Sequence, residues 1–290
     1  MKRILFPTEF SDHASAVFQY AVGLAHQFDA RLIVMAAYGR PDSEFIVSKS
    51  KEEIVNELTD RMIDFVTTHL PDDIRSEVKI DYFVRQGKPS DAILEVESEE
   101  KINLIVMGMT GKKNVLNISF GSTTQAVIDR SDCRVLVVPA TATYEGVDNM
   151  IYTTNFEFRD LAAINYLKKW SKKLGTDIYC LHIVEEKENG LKAVRNLKTL
   201  EKTYQKYETL FFDMVYGNFK KELKAYSEEV KADIIVMMTS KRSLTARIVE
   251  PGIMNGVAGR MDIPVLVLKD HAYEVDSQME GWIKIVNSIA

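Results

Sequence analysis

Residues 104–123 read LIVMGMTGKKNVLNISFGST, and this stretch decides the fold. Leu104 to Met107 is an unbroken apolar run, the pattern of a strand buried on both faces. Gly108 and Gly111 follow at once. Nine residues later Gly121, Ser122 and Thr123 open a segment of helical spacing. Strand, glycine turn and helix start, in that order, describe the carboxyl edge of a parallel sheet, where open α/β sheets bind ligands. Glycine at 108 and 111 lets the backbone turn sharply and come close to a ligand. Gly121, Ser122 and Thr123 would present N–H groups and hydroxyls at a helix start, which suits an anion such as phosphate. Lys112 and Lys113 add positive charge beside them. The spacing is neither GxxxxGK[ST] nor GxGxxG. Any one of these glycines taken alone reads as a plain turn.

Outward from this stretch, strands and helices alternate. Arg3 to Pro7 is a short strand. Ser11 to Gln27 has helical spacing, with Ala14, Val17, Phe18, Ala21, Val22, Leu24 and Ala25 on one face and Ser11 or Asp12 as cap. Arg31 to Ala37 is an apolar strand, and Glu52 to Leu70 a helix ended by Pro71. Val78 to Val84 is a strand, and Ser90 to Ser98 a helix capped by Ser90. Thr123 to Ile128 lies in a helix, and Val135 to Val138 is a strand stopped by Pro139. Apolar strands joined by helices imply a doubly wound parallel sheet, because parallel neighbours need crossovers. Residues 140–148 are small and polar, and read as a linker.

The second half repeats the first. Leu104 to Gly108 matches Ile234 to Met238, Val135 to Val138 matches Val265 to Leu268, and Gly87 matches Gly217, all at an offset of 130. Leu5-Phe6-Pro7-Thr8 matches Ile151-Tyr152-Thr153-Thr154 at 146. The difference of 16 is a shorter middle segment in the second copy. The expectation is α/β, with two tandem doubly wound five-stranded parallel-sheet domains. They span residues 1–140 and 149–270. A short amphipathic helix over 274–289 completes a C-terminal segment, 271–290.

Composition narrows the function classes. The 290 residues, 46% hydrophobic and 27% charged, suffice for two cores. The net charge of −5 offers no global attraction to nucleic acid or to anionic membranes. No apolar run of 18 residues spans a membrane, and MKRILFPTEF lacks a signal-peptide pattern, so a cytoplasmic location is expected. Cys133 and Cys180 sit in apolar runs and read as packing residues, with no CxxC or Cys/His cluster for a metal.

At this point the sequence resembles the universal stress protein family. Its ATP-binding members carry G-x2-G-x9-G-[ST], which residues 108–122 match in full. The opening ILFPTEFSDHA, the stretch Val84-Arg85-Gln86-Gly87-Lys88-Pro89 and the stretch Asp132 to Pro139 also look like the family. The resemblance covers most of 1–140 and, more faintly, 149–270. It implies a Rossmann-like, adenine nucleotide alpha hydrolase-like sheet between helices, with ATP, ADP or AMP in a cleft at the strand ends and Mg²⁺ on the phosphates. Carried over residue by residue, Gly108 and Gly111 line the phosphates, beside Met107 and Lys112. Gly121, Ser122 and Thr123 bind them at the helix start. Pro7, Thr8 and Glu9 contact the nucleoside, and the backbone of Ala37 borders the adenine. The family usually has Asp where Glu9 stands, to accept ribose hydroxyls. Glu adds a methylene and must fold back or lose the contact; otherwise it is a solvated turn carboxylate.

The second copy has Met238, Lys241, Pro251 and Gly252 where the first has Gly108, Gly111, Gly121 and Ser122, and Asn155 where it has Glu9. Pro251 removes an N–H donor and Met238 adds bulk. This copy is expected not to bind ATP as the first does. His13, near the Glu9 turn, reads as a surface helix position, with approach to a nucleotide as the alternative, and His182 as a satisfied core or cleft residue rather than a base. The charge run Glu95 to Lys101 reads as a solvated helix end. Tyr204, Tyr207, Phe211 and Phe212 have helical spacing and are expected to face a core or the partner domain. No nucleophile–base–acid set is visible by spacing.

The leading function is a nucleotide-dependent regulatory protein with one adenine nucleotide per chain, acting through conformation or partner binding. The alternatives are an interaction module that binds no nucleotide and a slow ATPase. An adenylyl-transferring enzyme would need an SGGxDS-like loop where Pro7-Thr8-Glu9 stands. Paired edges at Val135–Val138 and Val265–Leu268 would make the two copies an intramolecular pseudo-dimer, with a homodimer as the further assembly. No nucleic-acid or membrane partner is expected.

Overall fold

The computed structural model describes residues 1–39, 49–109, 121–157, 160–185, 190–239 and 263–269. The chain folds as two compact units, Met1–Glu145 with Ala258–Pro264, and Gly146–Val257 with Val265–Ala290. The C-terminal helix expected at 271–290 lies outside the described residues.

The first unit runs β1 (Arg3–Pro7), α1 (Asp12–Phe28), β2 (Arg31–Tyr38), α2 (Lys51–His69), β3 (Ile80–Gln86), α3 (Pro89–Glu100), β4 (Leu104–Gly108), α4 (Ser122–Arg130) and β5 (Arg134–Val138). Its strands pair in parallel in the order β3-β2-β1-β4-β5. The order reverses between β1 and β4, which separates the first crossovers from the later ones. Crossovers on both sides bury both faces of the sheet. Leu5, Ile33 and Ile105 meet in register across the centre, each fully buried. That is why these strands read as continuous apolar runs.

The second unit runs β6 (Asn149–Thr153), α5 (Asp160–Leu174), β7 (Asp177–Val184), α6 (Gly190–Tyr204), β8 (Leu210–Tyr216), α7 (Phe219–Glu229), β9 (Ile234–Thr239) and β10 (Val265–Lys269). Its pairing, β8-β7-β6-β9-β10 and all parallel, repeats the first. β2 starts at Arg31 and β7 at Asp177, an offset of 146. β3 starts at Ile80 and β8 at Leu210, an offset of 130. The missing 16 residues therefore fall between the second and third strands, which leaves the sheet intact. After both third strands the chain turns on a glycine at positive φ, +140° at Gly87 and +150° at Gly217. Gly87 donates its N–H to Tyr38 and Gly217 donates to Val184.

Several local expectations differ from the structure. The third strand starts at Ile80, because Val78 N–H still bonds the carbonyl of Ile74 in the preceding turn. Lys88, not Ser90, caps α3. Pro89 occupies the first turn, where its missing N–H costs nothing, and Ser90 is fully buried inside the helix. Ser11 is the N-cap of α1, but its side chain makes no capping bond. α6 ends at Tyr204, and Phe211 and Phe212 belong to β8, so the four aromatics are not one helical face. Within the charge run, Glu97 is buried and accepts N–H bonds from Asp132 (3.0 Å) and Cys133 (2.7 Å). Residues expected as linker pack on α1: Tyr20 donates to the Thr143 carbonyl, and the Tyr144 ring lies against Gly23. A Cβ at Gly23 would sit 2.2 Å from that ring, which explains a glycine inside a helix. Both cysteines are buried free thiols, and burial pushes both pKa values up.

Candidate functional site

The carboxyl ends of β1, β2 and β4 open into a cleft of about 590 Å³ in the first unit. Ligand pockets of roughly 300–1,000 Å³ hold small molecules of cofactor size. A nucleotide is of that size.

The cleft floor comes from the strand ends. Pro7, Thr8 and Glu9 line it from β1, Ala37 from β2, and Met107 and Gly108 from β4. Thr123 lines it from the first turn of α4. Gly121 is the N-cap of α4 and Ser122 its first residue, but neither is a lining residue. Gly111 and Lys112 lie outside the described residues. The hydroxyl of Thr124 donates to the Gly108 carbonyl at 3.1 Å and ties the helix start to the end of β4. Thr124 is buried and also lines the cleft.

The turn after β1 is built by Thr8. Its N–H donates to the Met35 carbonyl at 2.8 Å, and its Oγ1 accepts the N–H of Phe10 at 3.0 Å. Phe10 sits at φ +62°, a conformation that costs a non-glycine residue free energy unless the surroundings impose it. Glu9 is exposed on this turn, and its Oε1 accepts the Ser11 hydroxyl at 2.6 Å.

Helix α2 forms the opposite wall through Ile54, Leu58 and Arg61. The Arg61 guanidinium lies over the Phe10 ring, 4.5 Å from its centroid. Among the described residues the cleft carries one carboxylate, Glu9, one imidazole, His13, one guanidinium, Arg61, and the phenol of Tyr38. Residue spacing did not place α2 at the site. Ile54, Leu58, Met62 and Val66 are a buried i, i+4 stripe, and Arg61 borders it three residues after Leu58. An arginine beside such a stripe was the available signal. Among the described residues no group of three His, Cys, Asp or Glu side chains is placed to hold a metal ion. No helix among them is long and apolar enough to cross a membrane.

The corresponding turn of the second unit is filled with side chains. Thr154 N–H donates to Leu181, and Thr154 Oγ1 accepts the N–H of Phe156, which sits at φ +54°. Asp160 stands where Ala14 stands in the first unit, at the same offset of 146. It is buried, and accepts bonds from Tyr152 Oη (2.6 Å), Thr154 Oγ1 (2.7 Å) and Glu157 N (2.7 Å). His182 Nδ1 donates to the Thr154 carbonyl at 2.8 Å, and its ring packs on the fully buried Phe156. His182 is thus a satisfied core histidine. Met238 ends up near the end of β9; Lys241, Pro251 and Gly252 lie outside the described residues.

The order reversal between β1 and β4, with a cleft over their carboxyl ends, defines the chain as a Rossmann-like α/β protein in two tandem copies. It belongs to the universal stress protein family: the model of that family matches residues 1–139 and 160–269. A universal stress protein of Methanocaldococcus jannaschii, MJ0531, is 32% identical over 140 residues, 47% of this chain and 81% of its own. One of Thermus aquaticus is 31% identical over 144 residues, 47% of this chain and 98% of its own. Among solved structures, a universal stress protein from Archaeoglobus fulgidus superposes with a TM-score of 0.72. It covers 92% of this chain and 98% of its own at 18% identity, a likeness of fold alone.

Proposed function

We propose that the first unit binds one adenine nucleotide, ATP or its ADP and AMP forms, and that loading acts on conformation or partner choice. The observation that carries this reading is the cleft. It collects Pro7, Thr8, Glu9, Ala37, Met107, Gly108 and Thr123, from four separate elements, around one nucleotide-sized space. The nucleoside would lie between the Thr8–Glu9 turn and the end of β2. The phosphates would lie toward Gly108 and the start of α4, since the first N–H groups of a helix have no partner within it and favour an anion. Mg²⁺ would arrive on the phosphate oxygens and neutralise part of their charge. Among the described residues no side chain on the cleft is paired with another as base and nucleophile, which favours holding over turnover.

The network around Asp160 supports restricting this role to the first unit. The space beside the turn of the second unit is taken by Asp160, Tyr152 and Phe156.

Calorimetric titration of the intact chain with ATP tests both statements. The expected result is one site per chain, with adenine nucleotide also released when freshly purified protein is denatured. No binding at millimolar ATP overturns the nucleotide reading. A stoichiometry of two overturns the restriction to one unit.

A further inference from the structure

Tyr38 is the last residue of β2 and borders the cleft. The residue is only 9% exposed, and its hydroxyl is buried with no hydrogen-bond partner among the described residues. A buried hydroxyl without a partner costs free energy until some group meets it. Tyr38 follows Ala37 directly, and the apolar Ile54 and Leu58 stand on the same cleft. An aromatic ring, apolar walls and one unmet hydroxyl suit a flat heterocycle with a polar edge. The opposite end of the cleft, at Gly108 and α4, suits the phosphates.

From this we propose that Tyr38 is the base-reading residue of the cleft, its hydroxyl hydrogen-bonding the polar edge of the adenine. This rests on the nucleotide reading above and adds to it the residue that sets base affinity. The second unit lacks the feature. Val184 holds the position of Tyr38, since Gly217 donates to it as Gly87 does to Tyr38. Valine offers no hydroxyl.

A second orphaned hydroxyl serves as an internal control. Ser90 Oγ is also buried without a partner among the described residues, yet Ser90 is not a lining residue of the cleft. Removing either hydroxyl relieves the same kind of penalty in the free protein, but of the two residues only Tyr38 lines the cleft.

The experiment compares the intact wild-type chain with Tyr38→Phe and Ser90→Ala, by ATP titration and by thermal unfolding without nucleotide. The expected result is ATP binding weakened about tenfold in Tyr38→Phe, the loss of one well-placed hydrogen bond. Ser90→Ala should stay within about twofold of wild type, and neither variant should melt lower than wild type. ATP binding by Tyr38→Phe within about twofold of wild type overturns the proposal, as does an equal loss in both variants. A lower melting temperature for Tyr38→Phe also overturns it, because the hydroxyl would then have a partner in the free protein. Failure of the wild type itself to bind ATP is a separate outcome, which overturns the nucleotide reading and this assignment with it.

Discussion

The two turns Thr8-Glu9-Phe10 and Thr154-Asn155-Phe156 share one backbone and differ in what surrounds it. In both, a threonine hydroxyl accepts the phenylalanine N–H and holds that residue at positive φ. In the first unit Phe10 is half-buried beneath Arg61, and Ala14 leaves room for the cleft. In the second, Phe156 is fully buried against His182 and Phe212, and Asp160 bonds three neighbours. A local turn can therefore persist while side chains from the next helix decide whether it faces a cleft or a packed interior. Loss of the glycine loop is only one part of the divergence. Refilling of the space beside the turn is another, and it involves no glycine.

The contrast breaks most sharply at Asp160. Asp160→Ala removes the acceptor shared by Tyr152, Thr154 and the Glu157 N–H. The expected loss is on the order of 3 kcal/mol, since buried donors then lose a charged partner. Hydrogen exchange on the intact chain should speed up in β6 and β7 while β1 and β2 keep their protection. Unchanged exchange in β6 and β7 would mean that Asp160 does not hold the second turn together.

A smaller effect tests whether the two units share their backbone rules. Gly87 and Gly217 both sit at positive φ after the third strand, so alanine at either should cost about 1–3 kcal/mol. A Cβ at Gly217 would also meet Glu222 Oε1 at 2.7 Å, whereas nothing lies within 4 Å at Gly87. The glutamate can swing aside, so Gly217→Ala should cost only slightly more by urea denaturation. A neutral Gly87→Ala would end the claim that one turn is used twice.

The smallest expected effect is a pH dependence confined to the first unit. Burial raises the Glu97 pKa above its ordinary 4.5, against the opposing pull of hydrogen bonds from Ser131, Cys133 and Asp132. At the matching position the second unit has Ser227, which does not titrate and bonds the Leu223 carbonyl. Well below pH 4.5 Glu97 is protonated in both folded and unfolded chains. As pH rises through the raised value, the folded chain pays more to ionise it and loses stability. Glu97→Gln should therefore gain on wild type in melting temperature as pH rises through this window. The opposite slope would show that the backbone N–H groups hold the charged form preferentially.

Much of this architecture was legible in the order of residues. Runs such as Leu104–Met107 must be strands buried on both faces, and the offsets of 146 and 130 locate the shorter segment of the second copy. The Gly87 and Gly217 match marked the repeat, and the positive φ of both glycines gives it a physical reason. Features that depend on distant partners were illegible. Ser90 looked like a cap until Pro89 took the first turn, and Glu97 looked solvated until the backbone at Asp132 and Cys133 met it. Tyr204 and Phe212 have helical spacing, yet a strand begins between them.

What the sequence by itself determined is the repeated α/β order, its parallel pairing, and a glycine spacing kept in the first copy alone. Periodicity and glycine spacing are local and survive in one dimension. What only the tertiary structure decided is the cleft wall from α2, the Arg61–Phe10 contact, the unmet hydroxyl of Tyr38 and the filling of the second turn by Asp160. Each of these depends on which side chain from another element occupies a given volume. Close packing admits one answer there, and no spacing along the chain encodes it.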